Sequence, residues 1–237
     1  MHIFFSPHIH DNQALLSPEE SAHCIRVLRL RRGDKIRLID GLGGMYDATI
    51  TIPDAKQCVL SITGIVAHHK ARSFSLHIAI APTKNIDRFE WFIEKAVEIG
   101  VDVITPLLCH RSERHVLKTD RLQKMIIATM KQAMVPYLPV LHELTDYSRF
   151  IESISGSPYN RFIAHCEESE RKKLSEVVVT RTHVLLLIGP EGDFTQGEID
   201  MALSHDFIPV SLGTNRLRTE TAGIIACHTV NLLNEMQ

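Results

Sequence analysis

Two segments late in the chain hold the residues best suited to gripping a small polar ligand. Gly189-Pro190-Glu191-Gly192-Asp193-Phe194 follows an apolar run over 184–188. Leu212-Gly213-Thr214-Asn215-Arg216-Leu217-Arg218-Thr219-Glu220-Thr221-Ala222 follows a second run over 207–211. In a parallel sheet, ligands sit beyond the carboxyl ends of the strands, where glycines let backbone groups approach them closely. Two such loops, each opening a helix, predict a pocket for a molecule with several polar atoms. The same residues also read as chain punctuation. Thr195-x-x-Glu198 is a capping box, and Gly-Pro at a strand end is ordinary turn chemistry. On pattern alone both readings stand.

Other chemistries lack their fingerprints. There is no G-x-x-x-x-G-K-[ST], and no G-x-G-x-x-G between a strand and a helix. Gly41-Leu42-Gly43 begins like the latter but leads into a strand. No H-E-x-x-H occurs, and His68-His69 and His110 with His115 have no supporting ligands. The cysteines Cys24, Cys58, Cys109, Cys166 and Cys227 are scattered without a C-x-x-C pair, so a reduced, cytosolic protein without bound metal is expected. No apolar run approaches the ~18 residues that span a bilayer, and 1–7 lack the basic flank of a signal peptide.

The net charge of −2 taken alone argues against a nucleic-acid partner. Its distribution argues otherwise. Arg26, Arg29, Arg31, Arg32, Lys35 and Arg37 place six positive charges in twelve residues, opposed only by Asp34. This block is the natural phosphate contact, because charge neutralisation dominates such affinity. Its bland alternative is a solvated helix end and hairpin. With aromatic residues at 6%, a stacking platform for single strands is not expected.

The elements that must carry these residues fall into two rhythms. Over 1–72 a helix begins at Ser17-Pro18-Glu19-Glu20, with Ser17 as N-cap and Glu20 closing a capping box. It carries Ala22, Ile25 and Leu28 inward and stops before Gly33. Strand-like runs follow over 35–40, 45–52 and 58–66, joined by Gly/Pro/Asp turns; they predict a barrel or sandwich. Residues 68–73 read as a polar linker. From there strands and helices alternate, predicting a parallel α/β domain over 73–237. Strands are expected over 74–81, 101–108, 161–165, 184–188 and 207–212. Helices are expected over 86–99, 120–134, 195–205 and 219–234, the first ending at Gly100.

The chain resembles the bacterial ribosomal RNA small subunit methyltransferase E family, the 16S rRNA uracil-N3 methyltransferases of the SPOUT class. The likeness rests on Phe4-Phe5, His23-x-x-Arg26-Val27-Leu28-Arg29, Gly33-Asp34 and Asp40-Gly41 in the first domain. In the second it rests on Lys84, Glu94 through Val101, Pro106, Arg111-Ser112, the Gly189-Pro190-Glu191-Gly192 loop, Leu212-Gly213 and Leu217 through Ala222. It implies an α/β protein, with an N-terminal PUA-like RNA-binding β-barrel over 1–72. A C-terminal SPOUT α/β domain with a trefoil knot would follow over 73–237. It further implies a cytoplasmic homodimer that uses S-adenosylmethionine to methylate a uridine of 16S rRNA in the small ribosomal subunit, away from any membrane.

Carried over residue by residue, the motifs imply cofactor contacts from Gly189, Pro190, Glu191, Gly192, Leu212, Gly213, Leu217, Arg218, Thr219, Thr221 and Ala222. A third loop at His165, Cys166 and Glu167 would complete that pocket. Catalysis would fall to Arg218, stabilising charge on the uracil, and to Glu220 as proton acceptor. Glu220 reads equally as an acid placed at a helix N-terminus. RNA contacts would come from Arg26, Arg29, Arg31, Arg32 and Lys35, joined by Arg111 and Arg114. The sequence departs from the usual pattern at Asp193-Phe194-Thr195, at Asn215-Arg216 and over 131–136. Two other classes compete: a non-catalytic RNA binder, which leaves both glycine loops idle, and a ribose 2′-O-methyltransferase, which leaves the first domain unexplained.

Overall fold

The computed structural model describes residues 1–167 and 171–236. Its contacts divide into two units, one of residues 1–71 with 127–138 and one of residues 72–126 with 139–237.

In the first unit β1 (Ile3–Phe5), β2 (Ile9–His10), β3 (Gln13–Leu15), β4 (Lys35–Ile39), β5 (Gly44–Ile52) and β6 (Val59–His68) form one sheet in the order β1-β4-β5-β6-β3-β2. Only β1 and β4 run parallel. Alternation decides the faces: Ile36 and Leu38 of β4 turn inward with Phe4, Ile50 and Leu60, while Lys35 faces solvent. Ser6 joins distant parts of the sheet, its N–H donating to Ile39 O at 3.0 Å and its hydroxyl to Leu15 O at 2.6 Å.

The expected capping box forms only by half. Ser17 Oγ accepts the Glu20 N–H at 3.2 Å and starts α1 (Pro18–Ala22). The Glu20 carboxylate turns away, accepting the Phe5 N–H at 3.2 Å and the Lys131 ammonium at 2.5 Å. A charge-assisted partner outcompetes the helix's own amide. The helix then widens to a π turn over His23–Val27, with the Leu28 N–H donating to His23 O, and leaves Arg29 at φ 56°.

In the second unit every strand pairing among the described residues is parallel. β7 (Ser75–Ile80), α2 (Ile86–Ile99), β8 (Val103–Leu108), α3 (Thr119–Ala133), β9 (Val140–Leu141), β10 (Thr145–Asp146) and α4 (Tyr147–Ser153) come first. β11 (Asn160–Ala164), β12 (Lys172–Lys173), α5 (Leu174–Val177), β13 (His183–Ile188), α6 (Gln196–Ser204), β14 (Ile208–Ser211) and α7 (Thr219–Glu235) follow. The order is β10-β8-β7-β13-β11-β14-β12, with β9 beside β8. Helix α3 spans the expected residues, but its second half clusters with the first unit. Within the expected linker, His68 ends β6, and Arg72 is fixed by Asp102 at 2.6 Å and by the Phe74 ring at 4.6 Å.

Strand β13 sits mid-sheet with Val184 through Ile188 buried, which is why its sequence is a continuous apolar run. Helices α2 and α7 pack closely at Gly223, where a Cβ would stand 2.5 Å from the Phe92 ring. This contact seats the start of α7 beside the end of β13.

Candidate active site

Beyond the carboxyl end of β13, residues 189–194 are bonded to four other segments of the second unit. The buried Thr219 hydroxyl at the start of α7 donates to Gly189 O at 3.0 Å. The Glu191 carboxylate accepts the Lys84 N–H, from the loop after β7, at 2.9 Å. Arg111, from the loop after β8, donates to Gly192 O at 2.8 Å. Asp193 accepts the Cys166 N–H, from the loop after β11, at 2.7 Å. A loop at the centre of a parallel sheet has neighbours on both sides, and this one uses them all.

The segments after β11, β13 and β14 line a cleft of about 290 Å³ that continues into a smaller one of about 80 Å³, with Ala164, Cys166, Leu217 and Ala222 lining both. Of the expected cofactor residues, Gly189, Pro190, Glu191, Arg218 and Thr219 line the larger cleft and His165, Leu212 and Gly213 the smaller. Glu167, Gly192 and Thr221 line neither. Gly192 acts through its carbonyl instead, and a Cβ there would press within 3.2 Å of Arg111. Asp193 and Arg216 line the larger cleft and Asn215 the smaller, although the motif match passes over them. Asp193 had a signal in its type, since Asp after Gly tolerates the left-handed backbone found there, φ 63°.

Electrostatics mark two residues. His165 is buried, and neither ring nitrogen has a partner among the described residues. Burial, aided by Arg171, pushes it below the ordinary histidine value, so the ring is neutral at pH 7 with one donor and one acceptor unmet. Unmet buried polar atoms are costly, and the polar atoms of a bound ligand would satisfy them. Cys166 is the one exposed cysteine of the five, and burial and then Asp193 raise its thiol. Arg218 is exposed at the N-cap of α7 and forms no ion pair with another described residue.

Glu220 does not line the cleft. It is 6% exposed, its Oε1 stands 3.9 Å from Arg88 Nε of α2, and its Oε2 has no partner among the described residues. Arg111 and Arg114 also differ from a free RNA-contacting pair. Arg114 donates to Thr83 O at 3.1 Å and Lys84 O at 2.6 Å, and Arg111 holds Gly192 O, so both guanidinium groups brace loops. Arg26, Arg29, Arg31, Arg32 and Lys35 are all exposed in the first unit, whereas Arg37 is paired with Asp47 at 3.1 Å.

A parallel α/β sheet with a ligand-sized cleft beyond its strand ends defines a protein that binds a small polar molecule there; the β unit carries a run of exposed cations. Residues 70–231 match the RNA methyltransferase domain family and residues 16–63 the RNA methyltransferase PUA domain. A probable rRNA-methyltransferase from Porphyromonas gingivalis shares the fold with a TM-score of 0.87 at 38% identity, covering 100% of this chain and 99% of that one. A protein of Legionella pneumophila, solved with bound S-adenosylmethionine, gives 0.85 at 28% identity, covering 97% and 96%. The ribosomal RNA small subunit methyltransferase E of Synechocystis sp. is 28% identical over 216 residues, 89% of this chain and 70% of that protein. The chain belongs to the RNA methyltransferase family, in its ribosomal RNA small subunit methyltransferase E branch.

Proposed function

We propose that this chain transfers the methyl group of S-adenosylmethionine to N3 of a specific uridine in the 16S rRNA of the small ribosomal subunit. The observation that carries the reading is the cleft itself, walled by glycine-bearing loops, with Arg218 lining its larger part and His165, whose ring nitrogens have no partner among the described residues, its smaller part. The residues fit such a cofactor. Gly189, Leu212, Gly213 and Leu217 would hold it through backbone and apolar contacts, and His165 offers a donor and an acceptor to its polar atoms. The cofactor supplies a methyl group already activated by a sulfonium, so the protein's task is alignment.

Uracil N3 loses an imide proton as it reacts, and negative charge spreads onto the flanking carbonyl oxygens. Arg218 is the cation suited to stabilise that charge, because it lines the cleft and is not consumed by an acid among the described residues. Its position at a helix N-terminus, where a cation is disfavoured, argues that it serves something other than the helix. Glu220, buried beside Arg88, reads better as an acid anchoring the start of α7 than as the proton acceptor.

In this reading residues 1–72 act as a PUA-like RNA-binding domain and 73–237 as the methyltransferase domain, of the knotted SPOUT class. The exposed cations from Arg26 to Lys35 meet phosphates, while Arg111 and Arg114 shape the cleft. Trp91, 47% exposed on α2, and Ile225 and Leu232 on α7 are apolar surface suited to a second copy, in keeping with a cytoplasmic homodimer. Among the described residues no helix is long and apolar enough to cross a membrane.

Methylation at N3 blocks the Watson–Crick edge, so reverse transcriptase stops one nucleotide before the modified base. In cells lacking this chain the stop in 16S rRNA should disappear, and it should return with the gene. A weaker pause that depends on deoxynucleotide concentration would indicate ribose methylation, and no stop in either strain would indicate a binder.

A further inference from the structure

Asp193 is a non-glycine residue held in the left-handed region, at φ 63°, in a wall of the larger cleft. Both of its carboxylate oxygens are engaged by backbone. Oδ2 accepts the Cys166 N–H at 2.7 Å, and Oδ1 accepts the Phe194 N–H at 2.8 Å. The opposite side of the same loop is gripped by Arg111, which donates to Gly192 O at 2.8 Å. The loop is therefore pinned from the β8 side by a cation and reaches the β11 side through its own anion. Backbone kept in a sparsely populated region persists when its surroundings over-determine it, and such places cluster at ligand sites. The Cys166 segment that Asp193 secures lines both clefts and carries the unmet His165 ring.

We propose that Asp193 is a positioning residue: its carboxylate clasps the Cys166 amide and holds the His165–Cys166 wall in the form that receives the cofactor. The proposal rests on reading the cleft as the S-adenosylmethionine site. A loop that must be ordered before binding lowers affinity by the fraction of time it is in place, so loss of the clasp weakens binding through the position of the wall.

Asp193→Gly and Asp193→Asn separate this from a plain structural role. Glycine accepts φ 63° without strain but has no acceptor. Asparagine tolerates the same backbone and keeps one side-chain oxygen for the Cys166 N–H, giving up only the local bond from the Phe194 N–H. Calorimetric titration of the full chain with S-adenosylmethionine should show the glycine variant binding about 10-fold more weakly and the asparagine variant within about 3-fold of the native chain. The melting temperature of the glycine variant without ligand should stay within about 4 °C of the native one. Amide exchange at Cys166, read without ligand, should quicken in the glycine variant and not in the asparagine variant. Unchanged exchange and unchanged affinity in the glycine variant would overturn the clasp, as would an equal loss of affinity in both variants. A collapse of its melting temperature would make Asp193 a folding residue and overturn the positioning role. Absence of binding by the native chain, with the exchange result as predicted, would overturn the cofactor reading and leave the clasp standing.

Discussion

The turn at Asp40 and the loop over 189–194 both depend on acidic side chains bonded to backbone, yet they are built oppositely. Asp40 accepts the N–H groups of Leu42 and Gly44 at 2.7 and 2.8 Å and the Tyr46 hydroxyl at 3.0 Å. All partners of the Asp40 carboxylate lie within six residues, although the turn's glycines also bond distant backbone, the Gly43 N–H donating to Pro136 O at 3.1 Å and Gly41 O accepting the Leu138 N–H at 2.9 Å. In the 189–194 loop, Glu191 reaches back to Lys84 and Asp193 to Cys166, while Thr219 and Arg111 reach in. The first arrangement stabilises a hairpin wherever it occurs. The second exists only once the sheet is assembled, and it turns sheet order into a binding surface. A carboxylate with local partners should affect stability alone, and a hub should affect binding.

The largest expected effect lies on the cleft side. Arg218→Ala should lower turnover about 100- to 1,000-fold, the range for losing one charge-stabilising group. Affinity for S-adenosylmethionine should change by less than about 3-fold, a split that kcat measured beside calorimetric Kd reveals. Equal losses in both would make Arg218 a cofactor ligand instead.

Next come the two sides of the comparison. Asp40→Ala strands two amides and a hydroxyl, and should cost about 2–3 kcal/mol in urea unfolding of the first unit, with cofactor Kd unchanged. Thr219→Val, nearly isosteric, leaves the Gly189 carbonyl without its donor and should cost about 1–2 kcal/mol, and here Kd should rise with it. If both variants alter Kd alike, the distinction between turn and hub fails.

A smaller effect concerns the sheet that supports the hub. His77 is buried on β7, its Nε2 2.7 Å from Thr105 Oγ1, which in turn lies 2.8 Å from His142 Nδ1. Burial, and then His142, push His77 from 6.5 down to about 3. The folded chain therefore binds this proton less readily than the unfolded one. The contribution to stability is intact above pH 6.5 and is lost as the pH falls towards 3, at ~1.4 kcal/mol per pH unit. Urea midpoints at pH 7 and 5 should converge in His77→Gln relative to the native chain. An identical pH difference in both would mean that another group carries it.

The smallest effect reads the clasp chemically. Because the Asp193 charge helps to raise the Cys166 thiol, Asp193→Asn should make that exposed thiol more acidic and speed its alkylation at pH 7.5 several-fold. An unchanged rate would mean that the Asp193 charge does not reach the thiol.

These contrasts also explain what could be read from the sequence. The stripe Phe89, Phe92, Ile93, Ala96 and Val97 with Gly100 at its end foretold α2, and the unbroken run 184–188 foretold a central parallel strand. The Asp40-Gly41 turn was visible because the partners of the Asp40 carboxylate are near neighbours. β1, β2, β3, β9, β10 and β12 are two or three residues long, too short for an alternating pattern. Glu20 fitted a capping box in sequence, but Phe5 and Lys131, 15 and 111 residues away, captured it. The motifs located most of the cleft's wall. What they could not supply was the partner of each residue: Cys166 for Asp193 is 27 positions distant and Lys84 for Glu191 is 107. Arg111 and Arg114 were legible as cations near a motif, whereas the carbonyls that occupy them follow from the fold.

The central claim is that the cleft beyond β13 serves N3 methylation of an rRNA uridine. Its most direct test is nucleoside mass spectrometry of small-subunit RNA treated with the purified chain and isotopically labelled S-adenosylmethionine. The account predicts labelled 3-methyluridine with the native chain and a trace with Arg218→Ala. Labelled 2′-O-methyluridine, or no labelled nucleoside from a chain that binds the cofactor, would contradict it.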